Sequence, residues 1–163
     1  MRKSSAQTAL FFLIAALIVF LDQLAKQFAE LFLSDGPIQV IGEILQFRLA
    51  YNDAAAFSLG FGQTWVLAVI GTIAILALLW FGPKAANATW SVIAAFVLGG
   101  ATGNWLDRIF REPSFLNGHV VDFIQIPFGF PIFNVADIFL VVGVCLSIIR
   151  VLLGDEIGGH ERR

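Results

Sequence analysis

The sequence predicts an all-α integral membrane protein of four transmembrane helices, with a small extracytoplasmic β-platform between helices one and two. Three observations lead there. Of 163 residues, 58% are hydrophobic and only 13% charged, far from soluble averages, and the mean hydropathy is +0.84. The apolar residues, 17 Phe among them, gather into four stretches that match, or nearly match, the roughly 20 residues a helix needs to cross hydrocarbon. Between the first two stretches, the apolar positions alternate with the period of strands instead.

The first stretch, 8–28, follows Arg2 and Lys3 as the core of a signal peptide would. Phe20-Leu21-Asp22 lacks the small-x-small cleavage pattern, however, and three more spans follow, so it is expected to be a permanent anchor. In the extracytoplasmic segment 29–64, Ile38 and Val40, then Leu45, Phe47, Leu49 and Tyr51, suggest short strands on the membrane surface. Spans 65–81 and 90–106 form a hairpin, because Gly82-Pro83 breaks the chain between them. A second external segment, 107–131, contains Glu112-Pro113, Asn117-Gly118 and two further prolines, so it reads as loop with one extended piece at 120–124. The fourth span is 132–153, and the whole chain, 1–163, reads as a single membrane domain without repeats.

Orientation follows from Lys and Arg. Arg2, Lys3, Lys84, Arg150, Arg162 and Arg163 fall on one side against Lys26, Arg48, Arg108 and Arg111 on the other, which places both termini in the cytoplasm. Trp65 and Trp80, near opposite ends of span two, suit interfacial anchors. A net charge of -2 and a pI near 5.6 offer no basic surface, so nucleic acid is excluded as a partner. Cys145 is the only cysteine, and His119 and His160 the only histidines, with no HExxH; neither a metal site nor a cofactor is expected.

With that topology the polar residues share one depth. Asp22 and Lys26 end span one, Asn104, Asp107 and Arg108 end span three, and Asn134 and Asp137 begin span four, all at the outer leaflet. Stretches 69–81 and 138–149 carry no charge. Conduction needs a polar path across both leaflets, so this one-sidedness weighs against the alternative reading, a small proton-coupled transporter or channel. Lys26 alone would be explained by snorkelling, but seven polar residues from three helices point to a site. Spacings of three or four place Asp22 with Lys26, Asn104 with Asp107 and Arg108, and Asn134 with Asp137 on shared helix faces. Gly99, Gly100, Ala101 and Gly103 let backbones approach closely, and packing alone accounts for them.

Among the carboxylates, Asp22 has Lys26 one turn away and Asp107 adjoins Arg108, so both read as ionised, paired, structural groups. Asp122 and Asp137 lack such partners and have apolar neighbours, so desolvation is expected to raise at least one pKa. Two such carboxyls held together would share a proton, one activating water while the other protonates a carbonyl, as in aspartic proteases. Taken singly, Asp122 also reads as an ordinary loop residue and Asp137 as a carboxylate favoured near a helix start. Fifteen positions separate them, and spacing does not show that they meet. A Ser-Lys peptidase using Ser58 and Lys26 ranks lower, since Ser58 is equally explained as a cap, and Cys145 reads as packing within span four.

Four blocks now come together: Asn52-Asp53-Ala54-Ala55-Ala56-Phe57-Ser58, Gly103-Asn104-Trp105-Leu106-Asp107-Arg108, Gly118-His119-Val120-Val121-Asp122-Phe123 and Phe133-Asn134-Val135-Ala136-Asp137. In this order, with Asp22 and Lys26 ending the first span, they resemble the lipoprotein signal peptidase family, also called signal peptidase II. The resemblance implies a four-helix enzyme of the bacterial cytoplasmic (inner) membrane with a surface β-cradle, working near the periplasmic face. It implies Asp122 and Asp137 as the catalytic pair, without metal or cofactor. Asp22, Lys26, Asn52, Ala54, Gly103, Asn104, Asp107, Arg108, Asn134 and Ala136 are implied as substrate-binding or supporting residues. The implied substrate is a diacylglyceryl-modified prolipoprotein, cut just before its lipidated cysteine, with membrane lipid around it and peptide antibiotics of the globomycin type as inhibitors. One departure stands at Ala54, where the family has Gly; if that Gly takes a positive φ, Ala54 is strained, and the loop is not expected to copy its relatives closely.

Overall fold

The structure, a computed structural model, describes residues 5–53, 64–85 and 87–155. In chain order these form α1 (Ser5–Phe32), β1 (Ile38–Ile41), β2 (Leu45–Asn52), α2 (Thr64–Phe81), α3 (Ala88–Phe110), β3 (Val120–Gln125) and α4 (Val135–Leu152), with a 3₁₀ turn at Gly82–Lys84. Ala54 and Ser58, both singled out above, lie outside the described residues, as does His160. Pro83 stands second in the 3₁₀ turn, where it has no amide hydrogen to lose, and the side chain of Asn87 then caps α3 by accepting from Trp90 N at 3.0 Å.

Three of the helices are long and apolar enough to cross a membrane: α1, α2 with its 3₁₀ extension, and α4. Their large apolar side chains largely face outward, Leu13, Phe20, Ile73 and Val141 among them, as suits helices with lipid for solvent. The third expected span falls on α3, which is not among the three apolar helices. It is the central helix, packed against α1, α2 and α4, so its glycines and polar last third meet protein rather than lipid.

Small residues set how closely these helices approach. A Cβ on Gly99 would lie 2.7 Å from the Cβ of Ile18 on α1, and one on Gly100 would lie 2.5 Å from the carbonyl oxygen of Ala136 on α4. Phe11, Ala15, Ala95 and Leu98 fill the α1–α3 seam below this crossing. On the α2 side, Gly71 makes room for Trp105, whose indole N–H donates to the Thr72 hydroxyl at 2.8 Å.

The platform differs from expectation in composition. It is a three-stranded antiparallel sheet in the order β1-β2-β3, so it draws its last strand from the segment between α3 and α4 rather than only from that between α1 and α2. β2 would otherwise leave an edge unpaired, and the apolar 120–124 stretch covers it. The register sets Ala50 opposite Asp122 and Asn52 opposite Val120, which brings the end of β2 beside Asp122. Phe123 packs with Ala29 and Leu33, seating the sheet on the C-terminal end of α1.

Candidate active site

Asn134 begins α4, and its local chemistry explains why the helix starts there. Its side-chain oxygen accepts from Asp137 N at 3.0 Å while Asp137 Oδ2 accepts from Asn134 N at 3.1 Å, a reciprocal capping box in which Asp137 fills the usual place of Glu or Gln. The Nδ2 of the same residue donates to Asp122 Oδ1 at 2.6 Å and to Asn104 Oδ1 at 3.0 Å. One residue therefore bonds to both of the carboxyls whose meeting the spacing leaves open. Asn104 completes the ring, donating to Asp137 Oδ1 at 2.7 Å, and Asn52 donates to Asp122 Oδ2 at 3.0 Å from the end of β2.

Beneath these amides lies a buried charged group. Lys26 and Asp22 are 0% exposed, and Lys26 Nζ stands 2.7 Å from Asp22 Oδ2, 2.8 Å from Asp107 Oδ2 and 3.0 Å from Asn104 Oδ1. Three ammonium protons meet three acceptors, so Lys26 is fully engaged and not placed to serve as a base for a serine. Asp22 Oδ1 accepts from Ala136 N at 2.8 Å, which ties the start of α4 to α1. A Cβ on Gly103 would fall 2.5 Å from Asp22 Oδ2 and 3.0 Å from Ala136 Cβ; only a glycine lets α3 pass there.

Two expectations need correction or addition. Asp107 pairs not with Arg108 but with Lys26 and with Arg111, whose Nε lies 2.7 Å from Asp107 Oδ1. Consecutive helical residues point to different faces, whereas positions four apart share one. Arg108 instead reaches back to the carbonyl of Asn104 at 3.2 Å, and its buried Nε has no hydrogen-bond partner among the described residues. Gln23 joins the cluster without having been expected there: its amide donates to Asp107 Oδ1 at 3.0 Å and to the Gly103 carbonyl at 3.1 Å. A glutamine in an apolar helix beside Asp22 is the signal that could have found it. Arg111 also meets Glu30 at 2.6 Å, the C-terminal end of an α1 stripe Asp22, Lys26, Glu30 that recurs every four residues. That pair borders an open cleft of about 510 Å³ whose lining also includes Tyr51, Phe110 and His119.

Electrostatics single out Asp122. Burial pushes its carboxyl up to about 6; the Asn52 hydrogen bond pulls the other way, the negative charge of Asp137 raises it, and Asn134 and Lys26 lower it. A carboxyl in that range gains and loses its proton near neutral pH, which a general acid or base requires. Cys145 is a free, exposed thiol on α4, apart from this cluster.

Residues 14–153 match the family described as Signal peptidase (SPase) II. A lipoprotein signal peptidase of Leifsonia xyli subsp. xyli is 37% identical over 163 residues, covering 99% of this chain and 76% of the relative. One of Mycobacterium leprae is 40% identical over 151 residues, covering 92% of this chain and 75% of the relative. A bacterial membrane enzyme solved by the in meso method at 1.9 Å resolution superposes with a TM-score of 0.76 at 34% identity, over 90% of this chain and 94% of that one. With a match over most of its length and relatives this similar, the chain belongs to the signal peptidase II family.

Proposed function

We propose that Asp122 and Asp137 are the catalytic pair of a four-span aspartic peptidase in the bacterial cytoplasmic membrane. Like its family, the chain is a peptidase that removes signal peptides from lipoproteins. Its substrate is a prolipoprotein already carrying diacylglycerol on its lipobox cysteine, cut just before that residue. Both termini face the cytoplasm, and the pair works near the periplasmic face, where the substrate's lipid chains remain in the outer leaflet and its signal helix lies among the enzyme's helices. The observation that carries this reading is Asn134, hydrogen bonded at once to Asp122 Oδ1 and, through its backbone, to Asp137 Oδ2.

Between two such carboxyls a water can be held. One carboxylate takes a proton from the water as its oxygen attacks the scissile carbonyl carbon, and the other carboxylic acid protonates the carbonyl oxygen. Collapse of the tetrahedral intermediate returns a proton to the leaving amine of the cysteine and leaves a new carboxyl on the signal peptide. Arg108, whose buried Nε–H has no partner among the described residues, supplies a donor for a substrate carbonyl. The same outer-face position suits contact with membrane lipid and blockade by peptide antibiotics of the globomycin type.

Incubation of the purified chain with a diacylglyceryl-modified precursor and with its unmodified counterpart, products compared by mass, tests the substrate. Only the modified form is expected to lose its signal peptide; equal cutting of both would remove the lipid requirement.

The pH dependence follows from Asp122. The pair holds its shared proton below about 6 in the free enzyme, so kcat/KM is expected to decline as pH rises past that region. Asn52→Leu removes a hydrogen bond that favours the charged form, so the alkaline limb should move to higher pH. A limb that stays in place would mean that Asn52 does not tune the reacting carboxyl.

A further inference from the structure

We propose that Lys26 is a positioning residue for the catalytic pair, pinning the carbonyl of Asn104 so that the two active-site amides aim their N–H groups at Asp137 and Asp122. The inference rests on the reading of that pair given above.

An asparagine amide has an accepting and a donating side, and a half-turn about its last bond exchanges them. At both asparagines here the choice is made by a group that can only donate. Lys26 Nζ lies 3.0 Å from Asn104 Oδ1, and Asp137 N lies 3.0 Å from Asn134 Oδ1. The two amides then interlock, since Asn134 Nδ2 also donates to Asn104 Oδ1 at 3.0 Å. A half-turn of Asn104 would set its N–H₂ against the ammonium of Lys26 and the N–H of Asn134, and its oxygen against Asp137 Oδ1, which it now meets as a donor at 2.7 Å. Lys26 is itself immobile, held by Asp22 on its own helix and Asp107 on α3.

The charged groups around the pair are Asp22 and Lys26 from α1, Asp107 and Arg108 from α3, and the two partners themselves from β3 and α4; α2 contributes none, for it carries no ionisable residue. Without Lys26, Asn104 Oδ1 keeps only the N–H of Asn134, and the half-turned amide becomes populated. Its oxygen then faces Asp137 Oδ1, acceptor against acceptor, and the pair loses a donor that favours its charged form. The acid limb of the pH profile therefore moves up.

The test is the pH dependence of kcat/KM for the lipidated precursor, using the full chain in detergent. Lys26→Met strands Asp22 without its cation, so it is measured beside the charge-balanced pair Lys26→Met with Asp22→Asn, in which the new amide oxygen at position 22 still accepts from Ala136 N. Each should shift the acid limb upward by about one pH unit or more, the scale of one hydrogen bond to a charged group. Asn104→Ala should give the same shift by itself. Lys26→Met added to Asn104→Ala should then leave the limb where Asn104→Ala put it, because the lysine acts through that amide. Shifts that add would mean that Lys26 acts by its field alone, and a loss of rate with an unmoved limb would reduce it to a structural cation; either result overturns the proposal. Its failure is separable from that of the catalytic pair, which is judged by whether Asp122→Asn and Asp137→Asn are inactive.

Discussion

Asp122→Asn and Asp137→Asn should each lower cleavage of the lipidated precursor by on the order of 10³-fold or more, while the protein still inserts and folds. The substitution is nearly isosteric, and the hydrogen bonds show how little else it disturbs. At position 122 the new amide oxygen still accepts from Asn134 or from Asn52, and only one of those donors loses its partner. At position 137 the oxygen still accepts from Asn104 or from the Asn134 backbone, so part of the α4 cap survives. Neither amide can take a proton from water, which is the step proposed for the carboxylate. If the two groups act as a unit, as proposed, the double variant should be scarcely slower than either single one. Thermal melting in detergent, measured beside activity, separates chemistry from folding, and a single variant that cuts at the wild-type rate would falsify the pairing.

How far the sequence reveals this site depends on where the information lies. The helices are legible because their apolar runs are long, and the β2 strand because its alternation is clean over Leu45 to Tyr51. Residues that face each other within a helix are also legible: Asp22 with Lys26 four positions on, and Asn134 with Asp137 three positions on, make the contacts their spacing implies. Contacts between elements are not legible. Nothing local to Asp122 says that β3 lies beside β2, or that Asn134 reaches it across 12 positions of chain. The resemblance supplies that link in advance, and the register Ala50 with Asp122 is its physical basis. The Asp107 correction has the same origin in miniature. Adjacency along the chain is not adjacency in space, and Arg111, one turn further, is the residue on the right face. The third expected span is a helix, α3, packed against three neighbouring helices, and it is not among the three long and apolar enough to cross a membrane.

That dependence on close neighbours gives the other large expected effect, at Gly100. Gly100→Val should destabilise the protein by about 1–3 kcal/mol or more, as overpacking of a tight seam does, and abolish cleavage with it. The obstruction is backbone, not a side chain that can swing aside: a Cβ at position 100 would stand 2.5 Å from the Ala136 carbonyl oxygen and 2.8 Å from Leu140 N. To admit it, α4 must move off α3. Ala136 is bonded through its amide to Asp22, and Asp137 follows it directly, so the displacement strains the α1–α4 tie and carries one carboxyl away from the other. Ala77→Val, on an outward-facing position of α2, adds two methyl groups where no helix stands in the way and should leave both melting temperature and activity near wild type. A Gly100→Val protein that melts and cuts as the Ala77→Val control does would show that the α3–α4 approach is slack. The two carboxyls would then have to be held together by the Asn104 and Asn134 amides alone, without help from the helix crossing beneath them.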